Sequence, residues 1–260
     1  MTARTGLEAR NLSVSYGTRM ILKDLTLALP EQRFTAILGP NGCGKSTLLR
    51  SFARLIRPRA GEVLLDGENL TAMAATKAAR RLGLLPQAPT APEGITVEAL
   101  VARGRAPWRG LFAGWSKADA AACLRAMTAT GVAELAERPL AELSGGQRQR
   151  VWIALALAQE TPHLLLDEPT TWLDLPHQVE VLALLQRLNR EEGRSIVAVL
   201  HDLNLAARYA DHLVLLSPQG LVAQGAPAQV LNPANMLAAF GMATLIERDP
   251  VAGTPMVIPL

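Results

Sequence analysis

Apolar and polar positions alternate over the first forty residues of the chain in the pattern of β-strands. Residues 7–17 and 22–30 alternate, with leucine at every second position late in the second stretch, and the apolar run 34–39 ends in a glycine. A period of two is typical of a strand with one buried face, whereas a short unbroken apolar run is typical of a fully buried strand. The pattern predicts a β-rich N-terminal part that leads into a glycine-rich turn.

Helical spacing follows this turn and dominates residues 88–160. Residues 46–56 repeat apolar positions at helical spacing and stop before Pro58. A second helix is predicted from Ser116, which forms a variant capping box with Asp119, to Gly131.

Strands and helices alternate again from residue 161 onwards. An apolar strand begins at residue 163, a helix over 177–193 ends at a glycine, and a strand covers 195–202. A hairpin over 212–225 turns at 217–220. Strands that alternate with helices predict a mainly parallel sheet with its ligand at the carboxyl edge.

Composition limits the classes of protein that fit this pattern. The chain has 260 residues, of which 49% are hydrophobic and 19% charged, so it can bury a large core. Its apolar runs are too short to span a bilayer, and any membrane role is therefore expected to act through a partner. The net charge of +3 comes from scattered basic residues, which predicts no nucleic-acid partner. Two cysteines provide no disulfide framework.

A glycine-rich segment lies between the predicted strand 34–39 and the predicted helix 46–56. Its sequence, GPNGCGKST, satisfies the pattern G-x-x-x-x-G-K-[ST] in the strand–loop–helix context that the pattern requires. Glycines let backbone N–H groups close around phosphate oxygens, and the following helix directs its positive end towards them. We predict a nucleotide phosphate site formed by Gly39, Pro40, Asn41, Gly42, Cys43, Gly44, Lys45, Ser46 and Thr47.

Within this loop, the side chains have different predicted tasks. Lys45 is expected to neutralise the β- and γ-phosphates, and the Ser46 hydroxyl to bind Mg²⁺. Cys43 is interpreted as a loop filler whose thiol becomes shielded from alkylation when Mg–ATP fills the loop.

Two adjacent carboxylates end the predicted strand that begins at residue 163. Asp167 and Glu168 are followed by Pro169, which stops the strand. We predict that Asp167 holds Mg²⁺ and that Glu168 activates the attacking water as general base. An apolar run followed by two acids is a weak signal by itself, and the upstream phosphate loop strengthens it.

Two further polar residues follow predicted strands and should reach the same sheet edge. His201 comes after the strand that starts at residue 195, and we predict that it contacts the γ-phosphate. Gln87 comes after the apolar stretch 82–86 and is predicted to contact the metal or the water.

A second glycine-rich turn, LSGGQ at residues 143–147, opens a second helix. Together these residues resemble the nucleotide-binding subunit of ABC transporters. The resemblance rests, in chain order, on Tyr16, GPNGCGKST, Gln87, LSGGQ, LLLDEP, WLD at 172–174, and His201. It implies an α/β fold, an ABC-type P-loop ATPase with a mainly parallel core sheet, an antiparallel β subdomain and an inserted α-helical subdomain. It also implies the cofactors ATP and Mg²⁺.

The resemblance implies roles for the residues that match the family motifs. Tyr16 would stack on adenine, with packing in the sheet as the alternative. Gln87 would link the active site to the helical subdomain, and Asp174 would line a dimer interface. The signature residues would lie far from Lys45 of their own chain and close on the ATP of a second copy, as a homodimer. These signature residues are Ser144, Gly145, Gly146 and Gln147.

The resemblance also implies one ABC ATPase domain over residues 1–260. Its expected parts are the β-rich part and P-loop core (1–86), the helical subdomain (87–160), the core continuation (161–230) and a C-terminal segment (231–260).

A finer resemblance is to ATPases that energise import of ferric siderophores, heme and cobalamin, above all the ferric-enterobactin type. It rests on RGRAPWRGLFAGW, TTWLDLPHQVEVL, AVLHDLNLAARYA and RDPVAGTPMVIPL. It implies a chain at the cytoplasmic face of the bacterial inner membrane, with two integral membrane permease subunits and, indirectly, a periplasmic siderophore-binding protein. Heme or cobalamin import is the alternative.

Three rival classes share part of these motifs. An exporter ATPase usually carries a fused membrane domain, for which this chain has no apolar spans. A soluble ABC ATPase of DNA repair or translation is expected to have coiled-coil arms or tandem cassettes, neither of which is visible. A simple P-loop kinase or GTPase would leave LSGGQ without a purpose.

Overall fold

Three β-sheets and a group of helices make up residues 5–110, 114–171 and 173–260, which a computed structural model describes. The first part contains β1 (Thr5–Tyr16), β2 (Arg19–Pro30), β3 (Phe34–Leu38), α1 (Lys45–Phe52), β4 (Ala60–Leu65), β5 (Glu68–Asn69), α2 (Ala75–Arg81) and β6 (Leu82–Leu85). The middle part contains α3 (Val97–Ala102), α4 (Lys117–Ala129) and α5 (Gly145–Ala158), joined by 3-10 turns. The last part contains β7 (His163–Asp167), α6 (Leu175–Glu192), β8 (Ser195–Val199), α7 (Leu203–Tyr209), β9 (His212–Ser217), β10 (Gly220–Gly225), α8 (Pro227–Val230), α9 (Pro233–Phe240), β11 (Thr244–Arg248) and β12 (Pro255–Pro259).

The central sheet has the strand order β10-β9-β3-β8-β7-β6. Strands β9, β3, β8, β7 and β6 run parallel to one another, and β10 is antiparallel to β9, with which it forms a hairpin. This confirms the predicted mainly parallel sheet. The four strands β3, β8, β7 and β6 therefore present their carboxyl ends at one edge.

Alternation along the buried strands divides the apolar core between the two faces of this sheet. On β7, Leu165 faces the side of α1 and the antiparallel sheet, while Leu164 and Leu166 face the side of α5 and α6. Alternate side chains of each strand are thus buried on opposite faces of the sheet, because successive side chains of a strand point to opposite sides.

The N-terminal strands form a separate antiparallel sheet with the order β2-β1-β4-β5. Its inward positions include Leu25, Leu27 and Leu29, all buried, which confirms the alternation read from the sequence. The predicted antiparallel β subdomain is therefore present.

The helical insertion is held by local caps and by a buried ion pair. Asp119 N donates to Ser116 Oγ at 3.1 Å and Ser116 N donates to Asp119 Oδ2 at 3.2 Å, which confirms the capping box at the start of α4. The Arg105 guanidinium, buried in the 3-10 turn after α3, donates to Asp119 Oδ1 at 2.9 Å. Arg105 also donates to Glu160 Oε2 at 2.8 Å, which ties this turn to the end of α5.

Helix α1 ends earlier than the sequence predicts. Its spacing predicted a helix to residue 56, but the helix stops at Phe52. Arg54 has a φ of 60°, a left-handed conformation that a right-handed helix cannot continue through. Beyond Arg54, Ile56 packs against the core from a turn instead of a helix, and Leu55 is exposed.

The last thirty residues contain structure that the sequence patterns did not reveal. Strands β11 and β12 form a two-stranded antiparallel sheet. Val257 N donates to Asn204 Oδ1 at 2.8 Å, and Asn204 Nδ2 donates to Val257 O at 3.3 Å, so the hairpin is fastened to α7. Arg208 of α7 pairs with Asp249 at the hairpin turn. None of the described helices is long and apolar enough to cross a membrane.

Candidate functional site

Four neighbouring strands carry the predicted site residues to one edge of the central sheet. The phosphate loop follows β3, His201 follows β8, Asp167 ends β7 with Glu168 next, and Gln87 lies two residues after β6. Parallel strands place such residues side by side, because their carboxyl ends meet at the same edge.

The phosphate loop needs glycine at two positions for different reasons. Gly39 has a φ of 146°, and a Cβ there would lie 2.3 Å from Leu216 O, inside van der Waals contact. Gly44 has a φ of 104° and caps α1, and its Cβ would lie 2.6 Å from Leu22 Cδ2. At Gly39 both the positive φ and the rigid Leu216 carbonyl exclude a side chain, whereas at Gly44 the positive φ is the reason, because the Leu22 methyl can move.

The loop forms one wall of a pocket of about 260 Å³. Lys45 lies in it with its Nζ donating to Gly39 O at 2.8 Å and to Pro40 O at 3.0 Å. The remaining wall is formed by Asn41, Gly42, Gly44, Ser46, Thr47, Arg19, Ile21 and Glu168.

Cys43 does not fit the expectation that nucleotide shields it. Its side chain is already buried, with Sγ against Gly39, and burial raises the pKa of the thiol. Only the backbone of Cys43 is therefore placed to meet a phosphate.

Arg19 and Ile21 were not found from the sequence. They lie at the start of β2, where Arg19 pairs across the hairpin with Tyr16, the last residue of β1. The Tyr16 side chain is 48% exposed, so its ring is available beside the mouth of the pocket rather than packed in the sheet. The signal that could have revealed Arg19 is the tight turn at Gly17, which places residues 16 and 19 opposite each other.

Ser46, which lines the pocket, is hydrogen-bonded to the buried Asp167. Ser46 Oγ donates to Asp167 Oδ1 at 2.8 Å, while the buried Oδ2 has no hydrogen-bond partner and lies 3.8 Å from Arg50 Nε. Burial raises the pKa of this carboxyl, and the hydrogen bond from Ser46 opposes the rise. A hydroxyl and a carboxylate oxygen with a free buried lone pair fit Mg²⁺, which prefers oxygen ligands. Within the described ranges, no group of three or more His, Cys, Asp or Glu side chains could hold a metal ion.

Glu168 is held by three side chains from different elements. His201 Nε2 lies 2.9 Å from Oε1, Thr171 Oγ1 donates to Oε2 at 3.0 Å, and Gln87 also hydrogen-bonds the carboxylate. Burial raises the pKa of this carboxyl, but the hydrogen bonds together lower it by more than burial raises it. The pKa of Glu168 is therefore below its usual range. The carboxylate is therefore ionised and can accept a proton.

Thr171 is the residue of this group that sequence reasoning missed. It lies three residues after Glu168, whose φ of 55° turns the chain back so that the two side chains meet. A left-handed glutamate was not visible in the sequence, although the proline at position 169 marked a sharp change of direction.

The signature residues lie outside this pocket. Ser144 is exposed and caps α5, with Gln147 N donating to Ser144 Oγ at 3.2 Å and Ser144 N donating to Gln147 Oε1 at 3.0 Å. The side-chain oxygen of Gln147 is thus occupied in the helix cap. None of Ser144, Gly145, Gly146 and Gln147 lines the pocket that contains Lys45.

Asp174 is also away from the pocket. It is the N-cap residue of α6, largely exposed, and pairs with His177, whose hydrogen bond lowers the pKa of the Asp174 carboxyl. Trp172, in the same motif, and residues 111–113, in the 103–115 stretch, lie outside the described residues.

Comparisons with known proteins agree with this geometry. A family model described as ABC transporter matches residues 22–171. The ferric enterobactin transport ATP-binding protein FepC of Escherichia coli (strain K12) is 52% identical, over 98% of this chain and 94% of that protein. A metal-chelate type ABC transporter solved in an inward-facing conformation superposes with a TM-score of 0.85 at 30% identity, covering 99% of this chain and 98% of the other.

A dimeric structure of MJ0796, a bacterial ABC transporter cassette, also superposes. Its TM-score is 0.76 at 29% identity, over 85% of this chain and 98% of the cassette. The expected fold class is thereby confirmed. The chain belongs to the ABC transporter family, as an ATP-hydrolysing subunit.

Proposed function

We propose that this chain energises the import of a ferric siderophore across the bacterial inner membrane, from its cytoplasmic face. The similarity to the ferric enterobactin protein over almost the whole chain supports this cargo. The cargo itself would be handled by other subunits, namely two membrane permeases and a periplasmic binding protein.

ATP would bind with its phosphates in the loop and its base beside Tyr16. Lys45 would exchange its bonds with the Gly39 and Pro40 carbonyls for the β- and γ-phosphates. Arg19 and Ile21 line the way from the loop to Tyr16, so they would contact the ribose or the base. The backbone N–H groups of the loop and the first turn of α1 would bind the remaining phosphate oxygens.

Mg²⁺ would be held by Ser46, Asp167 and Gln87, whose oxygen atoms suit this ion. When bound, the ion would neutralise charge on the phosphates. Asp167 in turn keeps the Ser46 hydroxyl oriented, since the two are hydrogen-bonded at 2.8 Å.

Glu168 would take the proton from the attacking water. Its ionised carboxylate borders the pocket, and His201 and Thr171 hold one oxygen each. His201, whose side chain is 45% exposed, would also reach the γ-phosphate. A general base in position typically contributes about 10²–10⁴-fold to the rate.

The observation that carries the proposal of a two-chain site is the environment of the signature glycines. A Cβ at Gly145 would meet nothing within 4 Å, and one at Gly146 would make only an ordinary contact at 3.6 Å. Neither glycine has a left-handed φ, so nothing inside the chain requires its missing side chain. A close approach by a group from outside the chain gives such a reason, and the ATP held by a second copy fits it.

The helical subdomain offers a place for the membrane partner. A groove of about 500 Å³ between α3 and α4 is lined mainly by apolar residues, with Trp115 and Leu124 both about half exposed. An exposed apolar groove of this kind suits a short helix of a permease. ATP binding would close the dimer and move the helical subdomains, and with them the permeases, while hydrolysis would reopen it.

Ser144→Arg tests the two-chain site. We expect ATP affinity to stay near that of wild type and hydrolysis to be lost, because the arginine blocks the nucleotide of the other copy. Lys45→Ala should instead lose ATP affinity. Ser116→Arg is the matched control, since it removes the same kind of helix cap from α4, and it should hydrolyse ATP. If Ser144→Arg weakens ATP binding as Lys45→Ala does, the two-chain site is wrong.

Growth on a ferric siderophore as sole iron source tests the cargo. A strain without this chain should fail on the siderophore and grow on ferrous iron. Wild type should restore growth and Glu168→Gln should not. Unimpaired siderophore-dependent growth of the deletion strain would refute the proposed cargo.

A further inference from the structure

The loop that follows Glu168 is held by glutamine side chains from two different helices. Gln149 of α5 donates from Nε2 to Pro169 O at 2.8 Å. Gln178 of α6 donates from Nε2 to Leu173 O at 3.0 Å. Gln178 Nε2 also donates to Thr170 O at 3.5 Å, so the loop is held by α5 at Pro169 and by α6 at Thr170 and Leu173.

Helix α5 touches the loop a second time at its own first turn. A Cβ on Gly146 would lie 3.6 Å from Leu173 Cδ2, so the signature turn packs directly against the buried Leu173. Both contacts come from the first five residues of α5. Ser144 is the N-cap residue of this first turn. In the proposed function, Ser144 meets the ATP of the other copy.

The two ends of this connection serve different nucleotides. Ser144 would contact ATP in the loop of the other copy, whereas Glu168 acts on ATP in the loop of its own chain. Gln149 lies little more than one turn after Ser144 on a continuous helix, so a shift of the signature turn moves the Gln149 amide with it.

Glu168 is sensitive to such a shift. Its φ of 55° is a conformation that non-glycine residues keep only where their surroundings hold them. The bond from Gln149 is to the carbonyl of the very next residue, Pro169, which is buried. Displacing this carbonyl changes where the Glu168 carboxylate points.

We propose that Gln149 is a positioning residue that couples the two ATP sites of the dimer. ATP bound against Ser144 to Gly146 of one chain draws α5 into place, and Gln149 transmits that position to the catalytic carboxylate of the same chain. Hydrolysis at one site thereby depends on occupancy of the other. This inference rests on the proposed two-chain site.

Mixed dimers with one empty loop test the coupling. One chain, marked by its own affinity tag, carries Lys45→Ala, and the other has an intact loop. The intact chain then holds ATP while its own signature turn faces the empty loop. Turnover per intact site at saturating ATP is compared between this mixed dimer and the dimer with two intact loops. With Gln149 present, we expect turnover per intact site to be at least about 5-fold higher in the fully intact dimer than in the mixed dimer, which is the lower end of the coupling typical for affinities at two linked binding sites.

Gln149→Leu in the intact chain removes the N–H donor at similar volume. The ratio should then fall to about one, with ATP affinity of the intact loop unchanged. Gln149→Glu, which keeps the shape but lacks the donor when ionised, should do the same and serves if the leucine variant folds poorly. Gln178→Leu is the matched control, because it frees the same loop from α6, which carries no signature residue. It should lower turnover in both dimers equally and keep the wild-type ratio.

A wild-type ratio retained in both Gln149 variants would overturn the proposal. So would a loss of the ratio in Gln178→Leu, because any loosening of the loop would then suffice. A ratio of one in wild type, together with loss of hydrolysis in Ser144→Arg, would overturn the coupling while the two-chain site stands. If Ser144→Arg hydrolyses ATP normally, the proposed two-chain site itself fails.

Discussion

Replacing Glu168 by glutamine separates the chemistry of the carboxylate from its structural contacts. The amide has the same shape, and its carbonyl can accept from Thr171 as Oε2 does now at 3.0 Å. Its NH₂ group then faces His201 Nε2, which is 2.9 Å away and can accept in one neutral tautomer. The left-handed backbone at this position is unchanged by the substitution. The variant should therefore fold and bind ATP as wild type does.

The expected loss follows from the missing proton acceptor. An amide does not take a proton from water at neutral pH, so the whole contribution of the general base is removed. That contribution is about 10²–10⁴-fold, or about 2.7–5.4 kcal/mol at 1.36 kcal/mol per factor of ten. We expect turnover to fall at least about a hundredfold.

Phosphate release under saturating Mg–ATP measures turnover, and a fluorescent ATP analogue measures affinity. Glu137→Gln is a suitable control, since Glu137 is an exposed acid in the helical insertion. Turnover within a few-fold of wild type in Glu168→Gln would show that another group takes the proton. A fall in ATP affinity as large as the fall in turnover would show that the carboxylate acts in binding.

Three other predictions follow from the same structure. Thr171→Val removes a hydrogen bond that lowers the pKa of Glu168, so this pKa should rise and the acid limb of the turnover–pH profile should move to higher pH. Thr171→Ser keeps the hydroxyl and should keep the wild-type profile. An acid limb that does not move in Thr171→Val would contradict this role of Thr171. The Cys43 thiol is buried and its pKa is raised, so it should react slowly with iodoacetamide in the native protein, both with and without Mg–ATP. Rapid labelling of Cys43 would place the thiol at the surface. Asp119→Asn removes the charge of one of the two carboxylates that pair with the buried Arg105 guanidinium and leaves only Glu160, so the melting temperature at pH 7 should fall while ATP affinity holds. Equal melting temperatures would refute this.

Features that depend on neighbours along the chain were predictable. The cap at Ser116, the phosphate loop and the pair Asp167–Glu168 are each written in a short segment whose residue types serve one local geometry. The meeting of Glu168 with His201 was also predictable, because parallel strands place their carboxyl ends together.

Features that depend on chain reversal or long-range packing were not. Thr171 reaches Glu168 only because of a left-handed turn, and Arg19 reaches the pocket only because the first hairpin folds over the loop. The early end of α1 at Phe52 has the same origin, since its apolar spacing continues while the backbone turns at Arg54. Helical spacing records which side chains are apolar and does not record where the backbone leaves the helix.

The sequence by itself determined the fold class and the chemistry of the phosphate site, because motif residues and strand–helix alternation are local and directional. Only the tertiary structure decided that Gln149 reaches the carbonyl of Pro169, directly after Glu168, and that Gly145 faces open space while Gly146 packs against Leu173. Those facts depend on how α5 packs against a loop that follows a distant strand. Such packing is set by the whole core, which no short stretch of sequence contains.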